Sequence, residues 1–103
     1  MIIYVDIDET ICVTPDNRDY SQSTPIHENI ERINRYYDEG HTIVYWTARG
    51  TLTGKSHEDL TRKQFDEWGV KYHSLLFGKP AYDMFICDKA FNSFDFFNNA
   101  STQ

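Results

Sequence analysis

The sequence predicts an α/β protein with a minimal Rossmann-like open parallel sheet of about four strands, flanking helices and no cap domain. Short apolar runs alternate with segments of helical periodicity, in the order βαβαβ followed by another β. The length of 103 residues suits one compact domain and leaves little room for a second. We therefore expect a single domain over residues 1–97, followed by a polar tail over residues 98–103.

The first half of the chain predicts two strands around one helix. The apolar run Ile2–Val5 indicates a buried strand, and the polar residues 14–23 indicate a loop. Residues 24–39 predict a helix, because a threonine cap is followed by proline and apolar side chains recur at helical spacing until Gly40. The β-branched and aromatic run Thr42–Trp46 predicts the second strand.

The second half predicts a helix, two further strands and a short final helix. A capping-box pattern opens a helix over residues 56–68, which ends before Gly69. Residues 72–77 predict the third strand and residues 84–87 the fourth, with a Gly-Lys-Pro turn between them. The aromatic stretch 91–97 is expected to pack back on the domain as a short helix.

Composition excludes several classes of protein. With 40% apolar residues, and no run near the ~20 needed to cross a bilayer, the chain predicts a soluble globule without a membrane partner. No secretory signal precedes the first strand, and Cys12 and Cys87 lack metal-type spacing, so we expect reduced thiols in the cytoplasm. The net charge of −6 disfavours nucleic acid as a partner.

Four polar residues stand just beyond predicted strands. Asp6 and Asp8 follow the first strand, Thr47 follows the second, and Asp88 follows the fourth. In an open α/β sheet the carboxyl ends of the strands form the edge at which ligands bind. Clustered acids repel one another unless a cation, a proton or a partner compensates their charge. The pattern therefore predicts an active site at this edge, against the alternative of solvated loop acids and helix caps.

Four short motifs resemble those of the haloacid dehalogenase-like phosphohydrolases, in the order that family shows. They are Asp-Ile-Asp-Glu-Thr at residues 6–10, Tyr-Trp-Thr-Ala-Arg at 45–49, Gly-Lys-Pro at 78–80 and Phe-Ile-Cys-Asp at 85–88. The short chain is similar to a small, capless branch of phosphatases found among polysaccharide or capsule biosynthesis proteins. The resemblance departs at Cys87, where many relatives carry a second acid.

The resemblance implies covalent catalysis. Asp6 is the expected nucleophile, which attacks phosphorus and becomes an aspartyl phosphate. Asp8 is the expected general acid, protonated at first, and then the general base for the water that hydrolyses this intermediate. Mg²⁺ is the implied cofactor, with the Asp6 carboxylate, the Asp8 carbonyl and Asp88 as ligands, because this ion prefers hard oxygen donors.

The remaining implied roles concern the transferred phosphoryl group. The Thr47 hydroxyl and the Ala48 amide are expected to donate hydrogen bonds to its oxygens, and Lys79 to neutralise its charge and orient the nucleophile. Arg49 can reach a phosphate or a sugar carboxylate with paired donors, or can be an ordinary exposed loop arginine. Lys79 has a competing interpretation as a solvated lysine in a turn, and Lys63 is a rival cation.

These roles predict a magnesium-dependent phosphomonoesterase that acts on a small phosphorylated metabolite such as a sugar phosphate. The uncapped site leaves room for a neighbouring subunit to close it, so an oligomer is compatible with this reading. One alternative is a polynucleotide end phosphatase, which only the basic loop residues support. The other is a non-catalytic phosphate-binding or partner-docking module, which the paired Asp6 and Asp8 disfavour because such a module needs no nucleophile beside an acid.

Overall fold

The computed structural model describes residues 1–98. Within this range the strands are β1 (Ile2–Val5), β2 (Cys12–Val13), β3 (Thr24–Pro25), β4 (Thr42–Trp46) and β5 (Ser74–Leu76). The helices are α1 (His27–Asp38), α2 (Glu58–Trp68) and α3 (Ser93–Asn98), and one 3-10 turn spans Tyr20–Gln22. None of the described helices is long and apolar enough to cross a membrane.

The central sheet has three parallel strands in the order β1-β4-β5. Ile3 pairs with Ile43 in one ladder, and Tyr45 pairs with Leu75 in the other. Each parallel step is made through a helix, α1 between β1 and β4 and α2 between β4 and β5. This arrangement confirms the predicted Rossmann-like α/β class, and it brings the carboxyl ends of the three strands to one edge.

The helix predicted from residue 24 begins later, and this prediction was wrong at its start. Thr24 and Pro25 form β3, which pairs antiparallel with β2, and α1 begins at His27. Proline has no N–H to donate, so it is tolerated in a two-stranded edge ribbon as well as at a helix start. The Ile26 amide donates to the Ile11 carbonyl (2.9 Å), which keeps the chain extended up to that point.

The second predicted helix is present with a shorter first turn. α2 begins at Glu58, whose amide donates to the Ser56 hydroxyl oxygen (3.4 Å), so Ser56 acts at the helix entrance but not as the first cap. The helix ends as predicted at Gly69, which has φ +70 and is in the left-handed conformation that glycine adopts without a Cβ clash.

One apolar core lies between the sheet and the helices. Its buried side chains come from the three strands of the sheet, both long helices, β2 and the segments that follow β1 and α2: Val5, Ile7, Ile11, Cys12, Ile30, Ile33, Ile43, Tyr45, Phe65, Val70 and Leu75. The fully buried Ile7 and Ile11 flank the segment that carries Asp8. Packing in this core therefore anchors both sides of the acidic motif.

The predicted fourth strand is not formed, so the parallel sheet has three strands in the described part of the chain instead of about four. Residues 84–87 have no ladder partner there, and Met84 and Ile86 are 76% and 88% exposed. A short apolar run does not by itself distinguish a strand from an extended exposed segment, because a strand also needs a hydrogen-bonding neighbour. The third strand is shorter than predicted, at Ser74–Leu76.

The chain returns to the body of the domain at its last described element. α3 overlaps the stretch 91–97 where a short aromatic helix was predicted, starting two residues later and ending one residue later, and Phe96 and Phe97 pack against the core. Asn98 ends α3, so the polar tail predicted from residue 98 begins inside a helix. Residues 99–103 of that tail lie outside the described residues.

Candidate functional site

Asp6 and Lys79 meet at the carboxyl edge of the sheet. Asp6 follows β1 directly, and its Oδ1 lies 3.6 Å from the Lys79 ammonium nitrogen. The Asp6 side chain is 41% exposed, whereas the Lys79 side chain is 16% exposed. The structure thus joins two predicted site residues 73 positions apart in the chain, and it leaves the carboxylate accessible to a ligand. Lys79 is a half-buried partner of the acid and not a solvated turn residue.

Lys79 is held in place by the ends of β4 and β5. Its amide donates to the Thr47 carbonyl (3.1 Å), and the Thr51 hydroxyl donates to the Lys79 carbonyl (2.8 Å). The ammonium group lies 5.8 Å from the centre of the Trp46 ring and 5.6 Å from that of Tyr82. Two backbone tethers and two aromatic faces therefore set the approach of this cation to Asp6.

Asp8 is bound on both carboxylate oxygens by Arg49. Arg49 Nη2 donates to Oδ1 (2.9 Å) and Nε donates to Oδ2 (3.1 Å), which is a bidentate ion pair between the first loop and the loop after β4. The Arg49 side chain has no exposed surface, and the Asp8 side chain is 15% exposed. The expectation that Arg49 binds substrate is not met here, because its guanidinium is enclosed and already occupied.

Polar groups of α2 complete the surroundings of Arg49. Its Nη1 donates to the Thr61 hydroxyl oxygen (3.0 Å) and to Gln64 Oε1 (2.7 Å), and its guanidinium lies 4.7 Å from the centre of the Tyr20 ring. Sequence analysis did not single out Thr61 or Gln64 as site residues. The sequence does contain one sign of this contact, a glutamine within the apolar stripe of the helix. A polar side chain on a buried face needs hydrogen-bond partners, so Gln64 could have been expected to contact a polar group.

A second set of contacts reaches Asp8 from the long first loop. The Thr14 hydroxyl donates to Asp8 Oδ1 and also shares a hydrogen bond with the Ser23 hydroxyl (2.7 Å). The Cys12 thiol is buried and lies 3.6 Å from the same carboxylate oxygen. Burial raises the pKa of Cys12 to about 11, so this thiol stays protonated and acts as a packing group. Cys87 is an exposed free thiol.

The turn after Asp8 contains a strained residue. Glu9 has φ +60, a left-handed conformation that a side chain other than glycine seldom adopts. Its carboxylate accepts hydrogen bonds from the Thr14 amide (2.9 Å) and from Arg18 Nη1 (2.7 Å), and these bonds offset the backbone strain. The Ile7 carbonyl receives the amides of Thr10 (3.1 Å) and Ile11 (2.9 Å). This tight turn keeps Asp8 at the sheet edge.

The two acids experience opposite environments. Burial raises the pKa of Asp6, and the charge of Lys79 offsets only part of that rise. Burial would also raise the pKa of Asp8, but hydrogen bonds from Arg49 and its charge outweigh that effect and lower the pKa below the ordinary value. Asp8 is consequently ionised at neutral pH. This ionised state suits a general base. The protonated state that was expected for a general acid is not the one that the surroundings of Asp8 favour.

Thr47 and Ala48 occupy the bend between β4 and the next loop. Thr47 is buried, and its hydroxyl oxygen accepts the Arg49 amide (3.1 Å). That bond leaves the hydroxyl proton available for one acceptor. Ala48 is half-buried and follows Thr47 in the loop after β4. The two expected phosphoryl-binding groups are therefore adjacent, with the hydroxyl set below the surface.

The expected metal ligands are two carboxylates, of Asp6 and Asp88, and the main-chain carbonyl of Asp8. Among residues 1–98, no three His, Cys, Asp or Glu side chains are placed to hold one metal ion. Asp88 lies in the exposed run 81–92, where its carboxylate accepts from the Cys87 thiol (3.8 Å). The Asp6 carboxylate is accessible to a cation, whereas both oxygens of the Asp8 carboxylate accept hydrogen bonds from Arg49. Of the expected ligand side chains, the Asp6 carboxylate is accessible at the sheet edge and the Asp88 carboxylate lies in the exposed run.

A small cavity adjoins this edge of the sheet. It has a volume of about 260 Å³, is open to solvent, and is lined by residues of the segment 49–58 and by Phe77 and Gly78. Lys55 and His57 contribute to its lining. A cavity of this size offers space for a small polar group.

Comparison with known proteins supports the fold. No family model and no curated protein matches the chain. The crystal structure of a structural-genomics target from Vibrio cholerae is similar to it, with a TM-score of 0.83 and 27% sequence identity over 95% of this chain and 89% of that chain. The description of that protein states no activity. Similarity along nearly the whole of both chains shows that the small parallel α/β fold is shared.

Proposed function

We propose that the protein is a magnesium-dependent phosphomonoesterase that forms an aspartyl phosphate on Asp6. The observation that carries this proposal is the exposed Asp6 carboxylate with the Lys79 ammonium 3.6 Å away and Asp8 two residues on. A nucleophile, a cation for phosphoryl charge and an acid–base group then share one sheet edge. The proposed substrate is a small phosphorylated metabolite such as a sugar phosphate.

In the first proposed step an Asp6 oxygen attacks phosphorus, and the bond from phosphorus to the leaving oxygen breaks. That oxygen takes a proton from Asp8, so the step proceeds from the protonated form of Asp8, which the contact with Arg49 makes the minor form at neutral pH. In the second step water attacks phosphorus, the bond to Asp6 breaks, and Asp8 receives the proton that water loses. Lys79 neutralises phosphoryl charge in both steps, while the Thr47 hydroxyl and the Ala48 amide donate to phosphoryl oxygens.

Mg²⁺ fits this proposal with the Asp6 carboxylate and the Asp8 carbonyl as protein ligands. This ion is commonly bound through one or two carboxylates, with water and substrate phosphate filling the remaining positions. When bound, it would supply electrostatic stabilisation of the phosphoryl oxygens. Asp88 stays a prediction as a third ligand, and an Asp88→Asn variant tests whether the exposed run 81–92 contributes to metal dependence.

The surface charges favour a small substrate over a polynucleotide. Arg62 and Lys63 on α2 are each paired four residues along the helix, with Glu58 (2.9 Å) and Glu67 (3.9 Å). These pairs neutralise two of the basic residues that would otherwise follow a phosphate backbone. The net charge of −6 also disfavours binding of a polynucleotide.

The proposal is tested with p-nitrophenyl phosphate. We expect phosphate release with Mg²⁺ and its loss with a chelator, and we expect Asp6→Asn to lose activity by about 10³-fold or more while retaining its fold. Asp66→Asn, an exposed acid on α2, is the matched control and should retain activity. Turnover by Asp6→Asn equal to that of the control would remove Asp6 from its role. An inactive wild-type protein would favour the phosphate-binding or docking module.

Substrate class is tested on the active protein. A panel of sugar phosphates, nucleotides and 3′-phosphorylated oligonucleotides should show the highest kcat/KM for a sugar phosphate. Cleavage of the oligonucleotides alone would instead support the polynucleotide end phosphatase.

A further inference from the structure

Arg49 has an arrangement that the proposed chemistry does not require of it. Its side chain is fully enclosed, and it joins Asp8 on one side to α2 on the other. We propose that Arg49 is a positioning residue that fixes the Asp8 carboxylate in the site, and that Thr61 and Gln64 hold Arg49 in that orientation. This inference rests on the proposed function, because it assigns Arg49 a task in the same reaction.

The contact between Arg49 and Asp8 fixes the orientation of the carboxylate as well as its distance from the guanidinium. Two nitrogens of one planar guanidinium donate to two oxygens of one carboxylate, Nη2 to Oδ1 at 2.9 Å and Nε to Oδ2 at 3.1 Å. A bidentate contact of this kind sets the plane of the carboxylate as well as its location. A lysine ammonium could keep the charge but not the plane.

The other side of the guanidinium is equally constrained. Nη1 donates to the Thr61 hydroxyl oxygen (3.0 Å) and to Gln64 Oε1 (2.7 Å). The amide nitrogen of Gln64 in turn donates to the Tyr20 carbonyl (2.6 Å), which sets the amide with its oxygen toward Arg49. The three guanidinium nitrogens are thus directed by groups in two parts of the chain, Asp8 after β1 and two side chains of α2, so Arg49 has one orientation.

Two observations favour positioning of Asp8 over substrate binding or stabilisation of the fold as the role of Arg49. Arg49 cannot bind substrate in this arrangement, because none of its side-chain surface is exposed. A stabilising role alone does not account for the pair either, since a buried ion pair often contributes little compared with apolar packing. Proton transfer, in contrast, depends on where the carboxylate oxygen stands relative to the leaving oxygen, and a misplacement of about 1 Å lowers rates about 10²-fold.

The test measures kcat and KM separately in Arg49→Lys, with Arg32→Lys as the matched control. Arg32 is also a buried arginine, but it belongs to α1 and lies 4.3 Å from the centre of the Phe96 ring. We expect Arg49→Lys to lower kcat by about 10- to 100-fold with KM changed less than about twofold. Arg32→Lys should lower stability without this selective loss of kcat.

Gln64→Met gives a second, milder variant that keeps both members of the ion pair. It removes one of the two acceptors for Nη1 and leaves the Thr61 hydroxyl, so we expect a smaller loss of kcat, about 3- to 10-fold. Both variants should lose more activity on phenyl phosphate than on p-nitrophenyl phosphate, because the poorer leaving group depends more on proton donation. A purely structural role would not produce this difference between the two esters.

The outcomes distinguish this inference from the function on which it rests. With an active wild-type protein, unchanged kcat in folded Arg49→Lys and Gln64→Met would overturn the positioning role and leave the phosphatase proposal standing. A raised KM at constant kcat would also overturn it, since that result means contact with substrate. An inactive wild-type protein would overturn the proposed function, and this inference with it. If Arg49→Lys does not fold, Gln64→Met alone decides.

Discussion

Tyr45 lies at the centre of the molecule with its ring well packed and its hydroxyl unpaired. It belongs to β4, is fully buried, and meets the rings of Phe65 and Tyr72 edge-to-face, at 4.9 and 6.4 Å between centres. Within residues 1–98 its hydroxyl has no hydrogen-bond partner. Burial accordingly raises its pKa far above the ordinary value. The ring contributes to the core while the hydroxyl opposes burial.

We therefore expect Tyr45→Phe to raise the free energy of unfolding by about 1 kcal/mol, because an unsatisfied buried polar group costs about 1–3 kcal/mol and its removal leaves a small gap. Urea unfolding measures this change. The control is Tyr4→Phe on the exposed side of β1, where the change should stay within about 0.5 kcal/mol. Destabilisation by Tyr45→Phe would mean that the hydroxyl has a partner in solution.

At the scale of elements, prediction succeeded where local chemistry and burial agree. Thr42–Trp46 is β-branched and aromatic and lies in the middle of the sheet, so its predicted bounds are those of β4. Prediction failed where a distant partner decides the structure. Thr24 and Pro25 resemble a helix start, but pairing with β2 draws them into a strand. Residues 84–87 resemble a strand but have no neighbour to pair with among the described residues.

The conformation of the loop between β4 and α2 requires a glycine at position 50 more strictly than at position 54. Gly50 and Gly54 both have left-handed backbones, with φ +85 and +72. A Cβ on Gly50 would lie 2.1 Å from the Lys55 carbonyl oxygen, whereas a Cβ on Gly54 would meet nothing within 4 Å. The crowded glycine directly follows Arg49, so a shift there is passed to the guanidinium.

We expect Gly54→Ala to lower the free energy of unfolding by about 1 kcal/mol, which is the strain of a left-handed alanine. Gly50→Ala should lower it by at least about 2 kcal/mol, because the Lys55 carbonyl must also move. Thermal unfolding of both variants measures the difference. Equal effects would show that the loop accommodates the Cβ, and the close approach would then have no energetic consequence.

At the scale of the whole molecule, the sequence predicted which residues reach the sheet edge better than what they do there. Asp6 and Lys79 were expected together and are together, because both follow parallel strands. Arg49 was expected to bind substrate or to be an exposed loop residue, and it is enclosed, since α2 supplies partners that no local motif specifies. Strand ends follow from periodicity, whereas the burial of a long side chain depends on the packing of a separate helix.

The opposite environments of Asp6 and Asp8 predict opposite effects on the stability of the whole protein. The lowered pKa of Asp8 means that its ionised form stabilises the fold above the unfolded pKa of about 3.9, and that this contribution is lost as pH falls through the folded pKa. The raised pKa of Asp6 means that its ionised form destabilises the fold, and that this penalty disappears as pH falls through the folded pKa.

At pH 7 we expect Asp8→Asn to lower the free energy of unfolding by about 3 kcal/mol, since it leaves the Arg49 charge buried without a counter-charge. Asp6→Asn should raise it. Urea unfolding of the wild type and both variants between pH 3 and pH 8 separates the two effects. The deficit of Asp8→Asn should shrink toward pH 3, and the advantage of Asp6→Asn should shrink over the same range. Equal destabilisation by the two variants at pH 7 would contradict the assignment, because it would mean that the charge of Lys79 outweighs the burial of Asp6.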